Sequence, residues 1–264
     1  MTTTQTHSWV ICPKPNHQAN LRLFCFPYAG GGAASFRRWS DDLPTTIEVC
    51  PVQLPGRGWG IRSTPFTRVL PLVQAIAQVL LSYLDKPFAF FGHSMGALVS
   101  FELTRLLRRE YGLLPLHLFV SGRRAPQIPN LEPPIHTLPE PAFLEELRHL
   151  NGTPQAVLEN AELMQLLIPI LKADFAVNET YVYLSEPPLE CPITIFGGLQ
   201  DIEVSYDHLK AWANQTSASF SLQLLPGDHF FLHSAQSLLL QSLAQQLHQQ
   251  AQAQSLANSI YDCY

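Results

Sequence analysis

Residues 88–109 hold the feature that most limits what this chain can fold into. An apolar run, Phe88-Ala89-Phe90-Phe91, passes into a second apolar-rich run, Ala97 to Arg109, through Gly92-His93-Ser94-Met95-Gly96. The first run reads as a buried strand and the second, with Leu98, Phe101, Leu103, Leu106 and Leu107, as a helix buried around much of its girth. A strand turns into a helix over so few residues only where the backbone closes on itself. Glycines two before and two after the serine remove the side chains that would stand in the way. The hydroxyl of Ser94 is then held clear of the sheet at a helix N-terminus, where unpaired N–H groups and the helix dipole favour negative charge. Ser94 is therefore a candidate nucleophile. Glycine and serine are common, so an inert glycine-rich turn competes with this reading, and the rest of the chain decides between them.

The rest of the chain alternates. Leu21 to Phe26 is a strand ended by Pro27 and followed by Tyr28-Ala29-Gly30-Gly31-Gly32; Ile47 to Gln53 is a second strand. Val69, Val73, Ile76, Leu80 and Leu84 fall at helical spacing. Strands are expected at Leu116 to Ser121, Cys191 to Phe196 and Phe220 to Leu225, with helices at Tyr206 to Trp212 and Ser234 to Gln249. Arg105, Arg108 and Arg109 are expected to close the helix after Ser94 against its C-terminal dipole, near Gly112. Residues 127–190 break the alternation with a proline-marked opening and helical segments at Ala142 to Leu150, Gln155 to Leu158 and Glu162 to Val182. The expected architecture is α/β, a mostly parallel sheet with helices on both faces and a helical lid inserted at about 127–190. One domain is expected over residues 1–264, with 251–264 a poorly ordered tail.

Hydrophobic residues make up 46% of the chain and charged residues only 14%, enough apolar material for a large core. A net charge of −5 without basic runs gives no reason to expect nucleic acid as a partner. Met1 to Ser8 has neither a basic region nor an apolar segment, and the longest apolar window, Val69 to Leu84, is interrupted by Gln74 and Gln78. No signal peptide and no membrane span are expected, and the chain is expected to be cytoplasmic. Five cysteines, Cys12, Cys25, Cys50, Cys191 and Cys263, are odd in number and widely spaced, which suits reduced thiols.

Ligands of such a sheet gather at the carboxyl ends of its strands. Ser94, Asp201 and His229 each follow a strand there, in the order nucleophile, acid, histidine. His229 would take the proton of Ser94 as it attacks a carbonyl carbon, and Asp201 would fix the imidazole tautomer. Of the ten histidines, His233, His208 and His136 are rivals, but only His229 directly follows the last strand through a turn. Glu203, Asp207 and Asp228 compete for the acid role; Asp228 is the chain neighbour of His229 and suits the turn better. Oxyanion donors would be the backbone N–H groups of Met95 and Ala29. The side chains of His93 and Met95 are expected to pack. Neither zinc-ligand spacing nor a phosphate loop occurs, so neither a metal nor a cofactor is implied.

Five stretches carry a family resemblance: Phe26-Pro27-Tyr28-Ala29-Gly30-Gly31, Gln53-Leu54-Pro55-Gly56-Arg57, Phe91 to Ala97, Gly197-Gly198-Leu199-Gln200-Asp201 and Pro226-Gly227-Asp228-His229-Phe230-Phe231. Together they resemble the type II thioesterases, free-standing editing enzymes of non-ribosomal peptide and polyketide synthesis. The resemblance implies an α/β-hydrolase fold and hydrolysis of acyl groups from the phosphopantetheine arm of carrier proteins. Gly152-Thr153-Pro154 and Leu171 to Phe175 resemble that family's lid. Arg57-Gly58 departs from it, since relatives more often carry an acidic residue after the arginine. A fatty-acid chain-terminating thioesterase, a small-molecule esterase and a binding protein on an inactive scaffold are the alternatives.

Such a substrate needs a narrow route for the arm and an apolar chamber for the acyl group. Phe143, Leu147, Leu163, Leu166, Leu167, Ile170, Leu171 and Phe175 have the composition for that chamber. Tyr28, Phe143, Leu167 and Phe175 are the expected substrate contacts. Carrier proteins tend to be acidic, so Arg37, Arg38, Arg57, Arg62, Arg123 and Arg124 are candidates for steering, with Arg37, Arg38, Arg123 and Arg124 foremost. A monomer is expected.

Overall fold

The computed structural model describes residues 9–60, 63–150 and 152–261. In chain order the elements are β1 (Leu21–Phe26), α1 (Trp39–Asp42), β2 (Ile47–Pro51), α2 (Val69–Leu80), β3 (Phe88–His93), α3 (Met95–Tyr111), β4 (Leu118–Ser121), α4 (Glu140–His149), α5 (Gln155–Leu158), α6 (Ala161–Glu179), β5 (Ile193–Gly198), α7 (Tyr206–Lys210), β6 (Phe220–Leu225), α8 (Phe231–Ser234) and α9 (Gln236–Tyr261). The six strands form one sheet in the order β2-β1-β3-β4-β5-β6, every neighbouring pair parallel. This is the α/β-hydrolase architecture.

Strands covered on both faces read as near-continuous apolar runs, and β1, β3, β4 and β5 do, interrupted only by Arg22, His93, Ser121 and Thr194. Phe24, Phe26 and Phe90 face one side with Val73, Ile76 and Val99 of α2 and α3. Leu23, Phe91, Phe119 and Phe196 face the other with Trp39, Phe231, Leu239 and Leu243. The register then levels the strand ends: Phe26 stands opposite Gly92, His93 opposite Ser121, Ser121 opposite Phe196, and Gly198 opposite Leu225. The loops after β1, β3, β4, β5 and β6 consequently open along one edge.

Gly112 ends α3 in the left-handed conformation, φ 65°, with its N–H donating to Arg108 O at 3.2 Å and that of Leu113 to Leu107 O at 3.2 Å. Arg105, Arg108 and Arg109 do more than face the helix dipole. All three pair with Glu186, at 3.0–3.2 Å, and fasten the segment returning from residues 127–190 to α3. α9 also departs from expectation, continuing past Gln249 to Tyr261 where a tail was expected from 251. Residues 250–261 contain neither glycine nor proline and are rich in Ala and Gln, so nothing local stops the helix. Residues 262–264 lie outside the described residues.

Candidate active site

Ser94 is the only non-glycine residue at positive φ among the described residues, with φ 52° and ψ −112°. Such a conformation is strained for an L residue, and the flanking glycines show what enforces it. A Cβ on Gly92 would stand 2.2 Å from Gly96 O, and one on Gly96 would stand 2.0 Å from Phe26 O. The start of α3 therefore lies against the end of β1 and the loop that carries Ala29. Ser94 and Ala29 line the same cavity, while Met95, the first residue of α3, has its side chain fully buried.

The loops after β5 and β6 meet by the same device, since a Cβ on Gly198 would stand 2.4 Å from Asp228 O. Across that approach His229 Nδ1 donates to Asp201 Oδ2 at 2.9 Å. The other oxygen of Asp201 accepts from the N–H groups of Glu203 at 2.9 Å and Val204 at 3.3 Å, which holds the carboxylate in place. Asp228 accepts from the N–H of Phe230 at 2.9 Å and shapes the turn. Burial disfavours the imidazolium of His229. The bond to Asp201 and the carboxylates of Glu203, Asp201 and Asp228 outweigh burial and raise its pKa above the ordinary histidine value. The rivals lie elsewhere: His233 Nε2 is 3.0 Å from Tyr28 Oη, His136 is bound by Glu179, and His208 sits on α7.

His93 is more than packing. Its Nδ1 is 2.9 Å from Ser121 Oγ, its ring centroid is 5.1 Å from that of His229, and burial together with the neighbouring His229 and His233 holds it neutral, its pKa well below the usual range. Tyr28 packs edge-on against His93, Phe230 and His233.

Ser94 and His229 open on a cavity of about 490 Å³ that also meets Tyr28, Leu147, Leu171, Phe175 and Glu203. Phe143 and Leu167 do not line it. Phe143 is fully buried behind Phe175, ring centroids 5.8 Å apart, and Leu167 packs into the same cluster between the insertion helices. Of the apolar positions on α6, Leu163 and Leu166 face outward and Leu171 and Phe175 inward. Helical spacing identifies a stripe but not which neighbour it faces. Residue 152 touches the centre of the site, since a Cβ there would meet the Phe230 ring at 2.7 Å.

Of the steering arginines, one is buried and another, partly exposed, turns its guanidinium inward. Arg57 is buried: Nη2 donates to Asp174 Oδ1 at 2.6 Å and Nη1 to Gly31 O at 2.6 Å, while Gly30 N–H donates to Asp174 Oδ2 at 2.7 Å. Arg123 turns inward to Asn178 Oδ1 at 2.8 Å, and burial pulls its pKa down to about 10. Arg37 and Arg38 are exposed, and Arg124 lies at the cavity mouth with Nη1 donating to Asn130 Oδ1 at 3.0 Å. Arg62 lies outside the described residues. Asp174 was absent from the expected site. The signal for it is an acid four residues after Ile170 and three after Leu171, on the buried face of an apolar helix. Among the described residues no cluster of three or more His, Cys, Asp or Glu could hold a metal, and no helix is long and apolar enough to cross a membrane.

Comparison with known proteins shows the family. The Thioesterase domain family matches residues 21–251. The gramicidin S biosynthesis protein GrsT of Aneurinibacillus migulanus is 48% identical over 92% of this chain and 95% of its own. LgrE of Brevibacillus parabrevis, named linear gramicidin dehydrogenase, is 50% identical over 88% of this chain and 89% of its own. The structure of the type II thioesterase BorB from the borrelidin biosynthetic cluster superposes with a TM-score of 0.84 at 32% identity, covering 92% of this chain and 98% of BorB. This chain belongs to the thioesterase family.

Proposed function

We propose that this thioesterase hydrolyses acyl groups from the phosphopantetheine arm of carrier-protein domains, freeing a non-ribosomal peptide or polyketide synthase that carries a wrong or stalled group. Ser94 attacks the thioester carbonyl carbon as His229 Nε2 takes its proton. The N–H groups of Met95 and Ala29 receive the negative oxygen, and His229 returns the proton to the departing thiolate. Water, deprotonated by His229, then releases the acid and restores Ser94. Asp201 holds the imidazole and stabilises its charge. The observation that carries the assignment is the 2.9 Å bond from His229 to Asp201, with Ser94 strained at its elbow on the same cavity.

The insertion helices serve as the lid over the acyl group, and residues 1–264 act as one domain. Arg37, Arg38 and Arg124 steer an acidic carrier. The enzyme works as a cytoplasmic monomer and needs no cofactor. The name of LgrE points to a dehydrogenase, but in this chain the loop after β1 reads Gly30-Gly31-Gly32-Ala33-Ala34-Ser35. Ser35 stands where a dinucleotide fingerprint needs its third glycine, and the N–H of Gly30 is already taken by Asp174.

A panel of acyl-pantetheine, acyl-carrier-protein and aryl ester substrates, run on wild type and Ser94→Ala, tests the reading. The expected result is highest kcat/KM on acyl-carrier protein, no turnover by Ser94→Ala, and labelling of Ser94 by a serine-directed phosphonate. Preference for the aryl ester, or a label elsewhere, would overturn it.

A further inference from the structure

The N-terminal segment runs alongside the end of β2. Val10 bridges Val52 in antiparallel sense, Ile11 N–H donates to Pro51 O at 2.9 Å, and Gln53 N–H donates to Trp9 O at 2.7 Å. In this register 9 faces 53 and 11 faces 51 at hydrogen-bonded positions. The pairs between and beyond them, 10 with 52 and 12 with 50, occupy non-hydrogen-bonded positions. There the opposed Cα atoms of an antiparallel pair stand only about 4.5 Å apart and the side chains draw together, within the Cα separation that a disulfide spans. Cys12 and Cys50 fill one such pair, and their Sγ atoms are 3.0 Å apart.

We propose that Cys12 and Cys50 are an oxidation-closable dithiol, a modification site at which a small-molecule disulfide such as oxidised glutathione joins the N-terminal segment covalently to β2. Closure asks little of the backbone, because the ladder sets the two residues opposite each other with their Sγ atoms 3.0 Å apart. Cys12 is half-exposed and Cys50 buried, which sets the order of steps. The contact between them holds the Cys12 thiol below the usual range, and that contact together with burial holds Cys50 above it. The Cys12 thiolate attacks one sulfur of oxidised glutathione, forming a mixed disulfide and releasing one glutathione thiol. Cys50 then gives its proton to solvent and attacks Cys12 Sγ, displacing the second glutathione. Two cysteine thiols lose two electrons and two protons, and the oxidant leaves as two thiols. Cys25 and Cys191 are buried and free, and burial pushes the Cys25 thiol well above its ordinary value and the Cys191 thiol up to about 12. Neither is suited to the first attack.

The consequence falls on the site, since β2 leads through Leu54 and Pro55 to Arg57, which holds the loop after β1. Closure also removes freedom from the unfolded chain between residues 12 and 50.

The test uses the full chain, reduced, freed of reductant and exposed to oxidised glutathione, then quenched with N-ethylmaleimide and mapped by peptide mass. The expected result is a peptide pair linked through Cys12 and Cys50 and reopened by dithiothreitol. A rise in Tm of roughly 5–10 °C should accompany it and be absent from Cys12→Ser. A lasting glutathione adduct on Cys12 with Cys50 unlinked, a link to Cys25, Cys191 or Cys263, or no modification of Cys12 would each overturn the proposal. Cys12→Ser lies on a half-exposed segment, so the control does not depend on the folding of Cys50→Ser.

Discussion

Arg57 and Asp174, 117 residues apart in sequence, form a buried ion pair at 2.6 Å that fastens helix α6 to the loop carrying Ala29. Between them they take the N–H of Gly30 and the carbonyl of Gly31, the two peptide groups that fix how that loop turns. An oxyanion donor is useful only if it is already aimed when charge develops. With the Ala29 N–H as the proposed oxyanion donor, the pair is the clamp on that aim.

Asp174→Asn should lower kcat by about 10- to 100-fold with little change in KM for a free acyl-pantetheine thioester. It also leaves the Arg57 charge buried without its counter-ion, at a cost of about 3–5 kcal/mol. The double variant Arg57→Met, Asp174→Leu separates the two effects. It should regain thermal stability, because an apolar pair replaces the ions, and still be slow. Equal recovery of Tm and kcat would reduce the pair to a structural role.

Asp201→Asn should leave the fold unchanged and reduce kcat by about 10⁴, the size of the corresponding effect in trypsin, because the amide favours the wrong imidazole tautomer. Asp228→Asn should be nearly silent, since its carboxylate bonds only to the N–H of Phe230 within its own turn. Circular dichroism and steady-state kinetics on the two variants check the assignment; a reversed pattern would move the acid role to Asp228.

The strands were legible because each is bounded by glycine or proline and, when buried on both faces, reads as a near-continuous apolar run; Phe88 to Phe91 between Pro87 and Gly92 is the plainest case. That Ser94, Asp201 and His229 come to one edge was legible because loops after parallel strands must share it. The partners of single charged residues were not. An arginine in isolation reads as solvated, and nothing near Arg57 announces an acid 117 positions away. Cys12 and Cys50 looked widely spaced for the same reason, until an antiparallel bridge set them opposite each other. The inner and outer faces of α6 were hidden because that helix is apolar around most of its girth.

With His229 as the proposed general base, its raised pKa should set the acidic limit of catalysis. A general base must be neutral, so kcat/KM should fall as pH drops through a value above the ordinary histidine pKa of about 6.5. Glu203 Oε2 lies 3.8 Å from His229 Nε2 and is one of the carboxylates that raise it. Glu203→Gln should move the acid limb toward lower pH, and a pH–rate profile of both proteins reads the shift directly. An unmoved limb would mean that the imidazole does not feel this charge. The sign for stability runs the other way. Because the folded-state pKa lies above the unfolded one, ionised His229 stabilises the fold fully below about pH 6.5, and that contribution is lost as pH rises through the folded value.

The cavity walls make a prediction about acyl length. Leu147 on α4 and Leu171 on α6 line the 490 Å³ space, whereas Leu166, on the same helix as Leu171, is 58% exposed on the outside. Leu147→Trp adds bulk where the acyl tail is proposed to lie, so the longest accepted chain should shorten. kcat/KM for long-chain acyl-pantetheine should fall at least tenfold while short-chain acyl groups are hydrolysed as before, since each methylene excluded from an apolar pocket is worth about 1–3 kcal/mol. Leu166→Trp changes the same residue type on a neighbouring stretch but points to solvent, and should leave the whole series unaltered. A chain-length series from acetyl to decanoyl on the three proteins distinguishes a wall from a general disturbance. If Leu147→Trp slowed short and long chains alike, the acyl group would have to lie on another side of the cavity, toward Tyr28 and Phe230.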